Sequence, residues 1–215
     1  MNILFLGAPG CGKGTQSKII IDKYKIPQIS TGDLLRNEIK SETNLGLEIK
    51  DIISSGKFVS DEIVLKLVEK KLEQDDCKEG FILDGYPRNI VQAESLNALF
   101  SDKNLILEYV FLIDVPMEIL IQRCTGRLIC NSCGHITNSF FDNKSENDKC
   151  PKCDEGIFLR REDDNEKTVT KRLGVYEEQT KPIIEYYMKK GILHTIDGQK
   201  KPLEISKNIL EILES

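Results

Sequence analysis

The N-terminal apolar run and the loop behind it limit the possible folds of this chain most. Four apolar residues, Ile3-Leu4-Phe5-Leu6, lead directly into the glycine-rich run Gly7–Thr15, and a helical pattern begins at Gln16. A buried strand, a glycine-rich turn and a helix start form a phosphate cradle, because glycines let successive backbone N–H groups turn toward one anion and the helix N-terminus is electropositive. Lys13 adds a mobile charge. The pattern predicts binding of a nucleoside triphosphate; the alternative is an ordinary glycine-rich strand–helix turn.

One position departs from the general form of such phosphate-binding loops. The residue after the lysine is usually a Ser or Thr whose hydroxyl binds Mg²⁺. Here that residue is Gly14, and the hydroxyl follows one position later, at Thr15. Taken alone, the loop predicts phosphate binding, but it matches the general phosphate-binding motif imperfectly.

The composition is that of a soluble globular protein. A chain of 215 residues can bury a full core, as one domain with insertions or as two small domains. The net charge of −5 gives no electrostatic reason to expect nucleic acid or an anionic membrane as a partner. The N-terminal apolar run is too short for a signal peptide, and no stretch approaches the ~18 apolar residues of a membrane span. We therefore expect a cytoplasmic protein.

Short apolar runs alternate with helical patterns along most of the chain. The predicted strands are Ile3–Leu6, Gln28–Ile29, Phe81–Leu83, Tyr109–Ile113 and His194–Ile196. The predicted helices are Gln16–Tyr24, Gly32–Lys40, Leu45–Ser54, Asp61–Glu73, Asn89–Phe100, Met117–Thr125, Glu166–Lys190 (interrupted near Pro182) and Leu203–Glu214. Apolar strands separated by helices are typical of a parallel sheet covered on both faces, so the predicted fold class is α/β.

Two segments interrupt this alternation. Residues 30–59 carry helical patterns without a strong strand, and residues 126–164 are polar and rich in cysteine. The predicted organisation is one α/β core, made of residues 1–29, 60–125 and 165–215, that carries two insertions.

Four of the seven cysteines form two C-x-x-C turns, Cys130-Asn131-Ser132-Cys133 and Cys150-Pro151-Lys152-Cys153, separated by 16 residues. Two such turns place four thiolates around a tetrahedral centre, which predicts a zinc site. Four protein ligands leave no open position, so the zinc would be structural; redox chemistry of one pair is the alternative. His135 could replace a ligand, but a complete set of cysteines makes it unnecessary. The remaining cysteines, Cys11, Cys77 and Cys124, are expected to pack in the core.

Arginine is rare in this chain, and its positions are informative for that reason. Thirty side chains are Lys or Arg, and only seven of them are arginine. The planar guanidinium matches phosphate oxygens in pairs, which a lysine meets only as a point charge. We interpret Arg160 as a surface charge and the others as phosphate ligands. These are Arg36, Arg88, Arg123, Arg127, Arg161 and Arg172.

The positions of these arginines relative to strands and insertions support this interpretation. The apolar run Phe81-Ile82-Leu83 delivers Asp84 and then Arg88 to the carboxyl end of a strand, where ligands bind in open α/β sheets. Arg123 and Arg127 are four residues apart, on one predicted helix face at the start of the cysteine-rich insertion. Arginines at both ends of that insertion predict a lid that brings positive charge to the site when it closes.

Together these motifs resemble the adenylate kinase family, in its long form with a zinc-bearing lid, over nearly the full chain. The matching pieces are Gly7–Thr15, Thr31-Gly32-Asp33, Asp84-Gly85-Tyr86-Pro87-Arg88, Gln92, the four clustered cysteines, Arg161-Glu162-Asp163-Asp164 and Asp197-Gly198. Gly14-Thr15 is this family's own form of the loop. The resemblance implies the reaction ATP + AMP ⇌ 2 ADP with Mg²⁺, a five-stranded parallel core, an AMP-binding domain at 30–59 and a lid at 126–164.

The resemblance also assigns residues to each part of the site. ATP would contact Gly10, Cys11, Gly12, Lys13, Gly14, Thr15, Arg127, Ile136, Thr137 and Lys200. AMP would contact Thr31, Arg36, Lys57, Phe58, Val59, Gly85, Tyr86, Pro87, Arg88 and Gln92, with Arg161 and Arg172. The catalytic set would be Lys13, Arg88, Arg123, Arg161 and Arg172. Asp33 and Asp84 would bind Mg²⁺ through water, and Asp163 and Asp164 would orient the lid.

Two places depart from the family pattern, and other functions stay open. Thr137-Asn138 stands where many relatives have an aromatic residue and a histidine, and residues 142–148 lack the usual proline pair. The nearest alternative is a kinase for another nucleoside monophosphate. A Cys₄ nucleic-acid-binding module and a nucleotide-dependent switch protein are the alternatives from other classes. The expected partners are ATP, AMP and ADP, with no nucleic acid and no membrane, and the expected state is a monomer.

Overall fold

The computed structural model describes residues 1–54, 59–161 and 163–215, and its centre is a five-stranded parallel sheet. The strands in the described residues are β1 (Asn2–Leu6), β2 (Gln28–Ser30), β3 (Phe81–Asp84), β4 (Tyr109–Asp114), β5 (Arg127–Cys130), β6 (Ile136–Asn138), β7 (Phe158–Leu159) and β8 (Leu193–Asp197). The parallel sheet has the order β2-β3-β1-β4-β8, and β6-β5-β7 form a separate sheet. The α/β prediction is confirmed, and the five predicted core strands match to within one residue at each end.

Helices cover both faces of the parallel sheet. They are α1 (Lys13–Tyr24), α2 (Thr31–Lys40), α3 (Asn44–Ser54), α4 (Asp61–Leu72), α5 (Ile90–Asp102), α6 (Met117–Thr125), α7 (Glu166–Val175), α8 (Pro182–Lys189) and α9 (Pro202–Leu213). A short 3₁₀ turn spans Asp75–Cys77, and a π-helical turn spans Tyr176–Thr180. The predicted interruption near Pro182 is confirmed, because proline lacks an N–H and is compatible only with the first turn of α8.

The apolar side chains divide into two buried clusters, one on each face of the sheet. Helices α1, α6, α7 and α9 contribute to the first cluster, through residues such as Ile20, Leu120, Val169 and Ile209. Helices α4, α5 and α8 pack in the second. The expectation for the remaining cysteines is confirmed, since Cys11, Cys77 and Cys124 are all buried in these clusters.

Four helices that begin beside the predicted site have side-chain caps. Ser30 caps α2 by accepting from Asp33 N, and Ser60 caps α4 by accepting from Ile63 N. Asn89 accepts from Gln92 N at the start of α5, and Asn165 caps α7 in the same way. Each cap satisfies a backbone N–H that the first helical turn leaves free, and so sets the residue at which the helix begins. Within the described ranges, no helix is both long and apolar enough to cross a bilayer.

The cysteine-rich segment forms its own small antiparallel sheet. Leu128 pairs with Thr137, and Cys130 pairs with Phe158. Its buried interior consists of Leu128, Phe158 and cysteine side chains. In the stretch 142–148, which lacks the proline pair usual in the family, Asp142 Oδ2 accepts hydrogen bonds from Thr137 Oγ1 and Asn138 N, each 2.8 Å long.

One expectation about this segment is wrong. Arg123 and Arg127 do not share a helix face, because α6 ends at Thr125 and Arg127 is the first residue of β5. Gly126 separates the two elements, and a Cβ at this position would lie 2.4 Å from Asn138 Oδ1 and from Phe140. Helix α6 therefore ends where the last residue of β6 packs closely against the backbone of Gly126.

Candidate active site

The glycine-rich loop lies between the end of β1 and the start of α1. Gly7, Gly10 and Gly12 all have positive φ angles, which glycine adopts at little cost. Lys13 Nζ donates to the carbonyls of Gly7 at 2.6 Å and Ala8 at 3.2 Å, so its ammonium group lies over the loop. Gly14 and Thr15 belong to the first turn of α1. The arrangement brings helix N-terminus, loop and lysine together, as an anion site requires.

A second group of polar side chains follows β3, the strand beside β1 in the sheet. Arg88 Nε donates to Gly85 O at 2.7 Å, and Thr31 Oγ1 donates to the same carbonyl at 3.1 Å. From the π-helical turn, Thr180 Oγ1 donates to Arg88 O at 2.8 Å. These contacts hold the backbone and guanidinium of Arg88 at the carboxyl end of the sheet, on the same edge as the glycine-rich loop.

The arginines from several elements influence one another in this region. The side chain of Arg88 is exposed to water. Desolvation by the protein atoms around it, and then the charge of Arg172, lower the pKa of its guanidinium. Burial and then the charge of Arg127 lower the pKa of Arg161, and Arg36 has the same effect. Like charges at short range destabilise one another. The group is therefore arranged to favour a bound polyanion.

Carboxylates hold two of these arginines in place. Arg172 Nη1 lies 2.6 Å from Asp163 Oδ2, and Arg36 Nη2 lies 2.5 Å from Asp33 Oδ1. Burial opposes ionisation of Asp33, but the hydrogen bond from Arg36 and contact with Ser30 hold its pKa below the usual value. Both ion pairs are accessible to water, so a phosphate could compete for each guanidinium.

Arg127 forms a two-pronged ion pair that is largely buried. Its Nε and Nη2 donate to the two carboxylate oxygens of Asp164 at 2.8 Å and 2.5 Å. The Asp164 side chain is fully buried, and that of Arg127 is 18% exposed. Burial opposes the charge on Arg127, but the hydrogen bonds to Asp164 raise its pKa above the usual value. The pair joins the first strand of the small sheet to the segment that leads into α7.

Arg123 connects α6 to the loop after β8. Its Nη1 donates to Gly198 O at 2.9 Å, and Gly198 N donates to Asp114 O at 2.8 Å. Asn138 Nδ2 donates to Arg123 O at 3.0 Å from the small sheet. The guanidinium is therefore held against the loop after β8, which also carries Lys200.

The four clustered cysteines form a closed set of sulfur ligands. All four Sγ atoms lie within 4.8 Å of one another, and the pairs Cys130–Cys153 and Cys133–Cys150 are each separated by 3.7 Å. A tetrahedron with Zn–S bonds of about 2.3 Å has S···S edges of about 3.8 Å. Hydrogen bonds from the backbone of Gly156 and Glu155 lower the pKa of Cys153 to about 6. At Cys133 a backbone hydrogen bond at His135 lowers the pKa, but burial and the neighbouring sulfurs outweigh it and raise the pKa to about 11. The geometry fits zinc.

The two carboxylates predicted near Mg²⁺ lie at the ends of neighbouring elements. Asp84 is the last residue of β3, and its Oδ2 accepts from Gln28 Nε2 at 2.7 Å. Asp33 lies in the first turn of α2. Both present hard oxygen atoms at the cleft, a donor type that suits Mg²⁺ and its water ligands.

Comparison with known proteins adds direct evidence on family. A family model described as Adenylate kinase matches residues 5–192 of the chain. The chain belongs to the adenylate kinase family. It is 49% identical to the adenylate kinase of Thermodesulfovibrio yellowstonii over 100% of this chain and 99% of that protein. The adenylate kinases of Clostridium beijerinckii (45%; 99% and 98% covered) and Archaeoglobus fulgidus (44%; 100% and 98% covered) are similar over the same extent.

Some residues that hold the candidate site in place carry no recognisable sequence signal. Thr180 holds the carbonyl of Arg88, and Asp61 accepts hydrogen bonds from Asn89 and Gln92. These partners are separated by tens of residues, so no local pattern pairs them. Of the residues expected at the AMP site, Lys57 and Phe58 lie outside the described residues, as does Glu162 of the lid motif.

The close packing under the glycine-rich loop predicts a large effect of one added methyl group. Gly10 has φ +85°, and a Cβ there would lie 2.6 Å from Cys124 Sγ and 3.1 Å from Leu120 O. We expect Gly10→Ala to displace the loop and to lower kcat/KM for ATP by about 10²-fold, since misplacement by ~1 Å has effects of that size. Steady-state rates at varied ATP measure this.

Gly174→Ala is the matched control for the loop variant. Gly174 lies in α7, where an added methyl group would have no other atom within 4 Å, and alanine favours a helix by about 0.5–1 kcal/mol. We expect normal activity and a slightly raised melting temperature. A Gly10→Ala variant with the kcat/KM of the parent protein would show that the loop tolerates the displacement.

Proposed function

We propose that this chain catalyses reversible transfer of the γ-phosphoryl group of Mg-ATP to AMP, which gives two ADP. The observation that carries the proposal is the placement of two phosphate-binding groups at one edge of the sheet. The glycine-rich loop follows β1, and Arg88 follows the neighbouring strand β3. Carboxyl ends of adjacent parallel strands meet at one crevice, so a donor and an acceptor phosphate would face each other there.

The donor half would be built around the glycine-rich loop. Gly10, Cys11, Gly12, Lys13, Gly14 and Thr15 would hold the ATP phosphates. Arg127 would face the adenine, and Ile136, Thr137 and Lys200 would border it. In support of this, Arg123 already ties the Lys200 loop to α6 through Gly198 O, and Arg127 is held by Asp164.

The acceptor half would lie between α2 and the segment after β3. Thr31, Arg36, Val59, Gly85, Tyr86, Pro87, Arg88 and Gln92 would form the AMP site, together with Lys57 and Phe58. The shared carbonyl of Gly85, which Thr31 Oγ1 and Arg88 Nε both contact, supports a common role for these residues.

Charge stabilisation and alignment would carry the chemical step. Phosphoryl transfer asks a protein mainly for positioning and for positive charge around the transferred group. Lys13, Arg88, Arg123, Arg161 and Arg172 would supply that charge. An AMP phosphate oxygen is already anionic, so no general base is needed. Mg²⁺ bound to ATP neutralises phosphate charge, and Asp33 and Asp84 would hold its water ligands.

The two insertions would exclude water from the reacting phosphates. We assign residues 1–29, 60–125 and 165–215 to the core, 30–59 to the AMP-binding domain and 126–164 to the lid. Lids of this kind sequester reactants and complete the site on closing; the adenylate kinase lid is a general example of this behaviour. A structural zinc at Cys130, Cys133, Cys150 and Cys153 would hold the lid together, and we expect a cytoplasmic monomer that binds neither nucleic acid nor membranes.

A single assay tests the proposed reaction and its nearest alternative. Mg-ATP is supplied with AMP, UMP, CMP or GMP in turn, and diphosphate formation is measured. We expect kcat/KM for AMP to exceed the others by about 10²-fold or more, since a site built to hydrogen-bond one base discriminates strongly. A preference for another monophosphate, or ATP hydrolysis that does not depend on any of them, would contradict the proposal.

A further inference from the structure

A closed hydrogen-bond network lies behind the proposed AMP site. Asp61, in the first turn of α4, accepts at Oδ1 from Gln92 Nε2 at 2.6 Å and at Oδ2 from Asn89 Nδ2 at 3.1 Å. The other end of the Gln92 amide, Oε1, accepts from Arg88 N at 2.7 Å. Gln92 is only 7% exposed, so its amide cannot exchange these partners freely for water.

The donors and acceptors of this network allow only one orientation of the Gln92 amide. Arg88 N can only donate, so it requires the amide oxygen, and the carboxylate of Asp61 can only accept, so it requires the NH₂ group. The Asn89 amide is fixed as well, because its Oδ1 accepts from Gln92 N at 2.8 Å and its Nδ2 must then face Asp61. Both amides present N–H groups to position 61, and a carboxylate satisfies both at once.

The fixed orientation leaves Gln92 as a hydrogen-bond donor toward its surroundings. An amide NH₂ carries two hydrogens, and Asp61 accepts one of them. For the second, the described residues show no acceptor. Adenine N1 accepts a hydrogen bond, whereas N1 of a 6-oxopurine such as hypoxanthine carries a hydrogen and donates. A site in which the Gln92 NH₂ group is a fixed donor would thus bind adenine and disfavour hypoxanthine.

We propose that Asp61 is a positioning residue that sets the preference of the acceptor site for AMP over 6-oxopurine monophosphates, by holding the Gln92 amide with its NH₂ group toward the base. The inference rests on the proposed function and on the assignment of Gln92 to the AMP site. Asp61 acts through Gln92 and touches no substrate. Its effect should therefore fall on the acceptor nucleotide and leave the ATP site unchanged.

Two variants test the orientation directly. Asp61→Asn keeps the shape of the side chain but replaces one of its two accepting oxygens by an NH₂ group. Either the Gln92 amide or the Asn89 amide then meets an N–H donor where it met an oxygen. The double variant Asp61→Asn/Gln92→Glu restores every hydrogen bond, because the new carboxylate at position 92 accepts from Arg88 N and from the new amide, whose oxygen accepts from Asn89. The double variant has the same formal charge as the parent, yet it presents an acceptor to the base.

The measurement is kcat/KM for AMP and for IMP, with the KM for ATP and the melting temperature taken alongside. We expect Asp61→Asn to lower the AMP:IMP ratio by about tenfold, the size of one mismatched buried hydrogen bond. We expect the double variant to prefer IMP. The KM for ATP should stay within about twofold in both. Asp76→Asn, which changes an exposed ion pair with Lys71, is the matched control and should keep the parent ratio.

The outcomes separate the inference from the proposed function. A parent protein that makes no ADP from AMP overturns the function, and the inference with it. If the parent prefers AMP and the double variant does too, the orientation has no role and the inference fails while the function stands. A general loss of activity with both nucleotides at an unchanged ratio likewise shows that Asp61 only supports the fold. Should Asp61→Asn unfold, the double variant decides alone, since its network is complete.

Discussion

Replacing Arg88 by alanine should lower the turnover number of this protein by about 10²–10⁴-fold, with little change in the melting temperature. Arginines that stabilise a transferring phosphoryl group have effects of about this size. Arg88 Nε is held by Gly85 O, and its backbone is held by Thr180 and Gln92. The side chain is accessible to water, so its removal leaves no buried cavity. Turnover with Mg-ATP and AMP at saturation, together with thermal unfolding, measures both quantities.

A lysine variant shows whether the charge or the planar shape of the Arg88 side chain is responsible for its effect on turnover, and an alanine variant of a second arginine is the control. Arg88→Lys keeps the positive charge but loses the planar fork, and we expect a loss smaller than that of alanine but still tenfold or more. Arg160→Ala removes an exposed arginine that lies near Glu146 on the lid, and it should leave turnover unchanged. If Arg88→Ala, correctly folded, retained near-normal turnover, Arg88 would have no part in the transfer step.

Loss of one lid cysteine should release zinc and destabilise the protein while some activity remains. The interior of the small sheet holds little apolar surface beyond Leu128 and Phe158, so a zinc ion bound by the four cysteines would supply much of its cohesion. We expect Cys130→Ala to lose the single zinc equivalent and to cost about 3 kcal/mol or more. For a chain of this size, 3 kcal/mol corresponds to a fall in melting temperature of about 6–12 °C. The glycine-rich loop and Arg88 lie outside this sheet, which is why residual activity should persist.

Metal analysis and thermal unfolding of matched samples test this expectation. Ser132→Ala alters an exposed residue in the same C-x-x-C turn without removing a ligand, and it should keep both zinc and stability. Treating the parent protein with a chelator should reproduce the lower melting temperature of Cys130→Ala, and added zinc should restore it. A parent preparation free of zinc with an unchanged melting temperature would refute a structural role for the metal.

Strand and helix positions in the core were largely predictable from local pattern. The apolar runs of β1, β3 and β4 are short, continuous and bounded by glycine or polar residues, which is how strands buried on both faces appear in sequence. The predicted helix starts match for α4, α6 and α7, and they are shifted by one to three residues for α1, α2, α3, α5 and α9. Helix α1 begins at Lys13 because the loop itself winds into the first turn. The clustering of the four cysteines was equally predictable, because the C-x-x-C spacing alone brings each pair of thiols together.

The start of the cysteine-rich segment shows where the local sequence pattern failed to predict the structure. The four-residue spacing of Arg123 and Arg127 matches a helix face, yet Arg127 belongs to β5. Strand β5 exists because it pairs with β6 and β7, and β7 follows it by almost thirty residues. Pairing over such a distance outweighs a local preference, and a single sequence does not show it.

The residues that hold the site in place were hidden for the same reason. Asp61 reads in sequence as an ordinary acidic residue in a first helical turn, where carboxylates are common. Its partners Asn89 and Gln92 are about thirty residues away. Thr180 and Arg88 are ninety-two residues apart.

The sequence by itself determined the chemistry that is available: a glycine-rich phosphate loop, a small set of arginines, four thiols and an α/β order of elements. Only the tertiary structure decided how these groups are oriented. Parallel strands β1 and β3 bring the loop and Arg88 to one edge, and hydrogen bonds such as that between Gln92 and Asp61 then fix which atom of a side chain faces which partner. Residue type is a local property, whereas the direction of a donor depends on partners that only folding brings within about 3 Å.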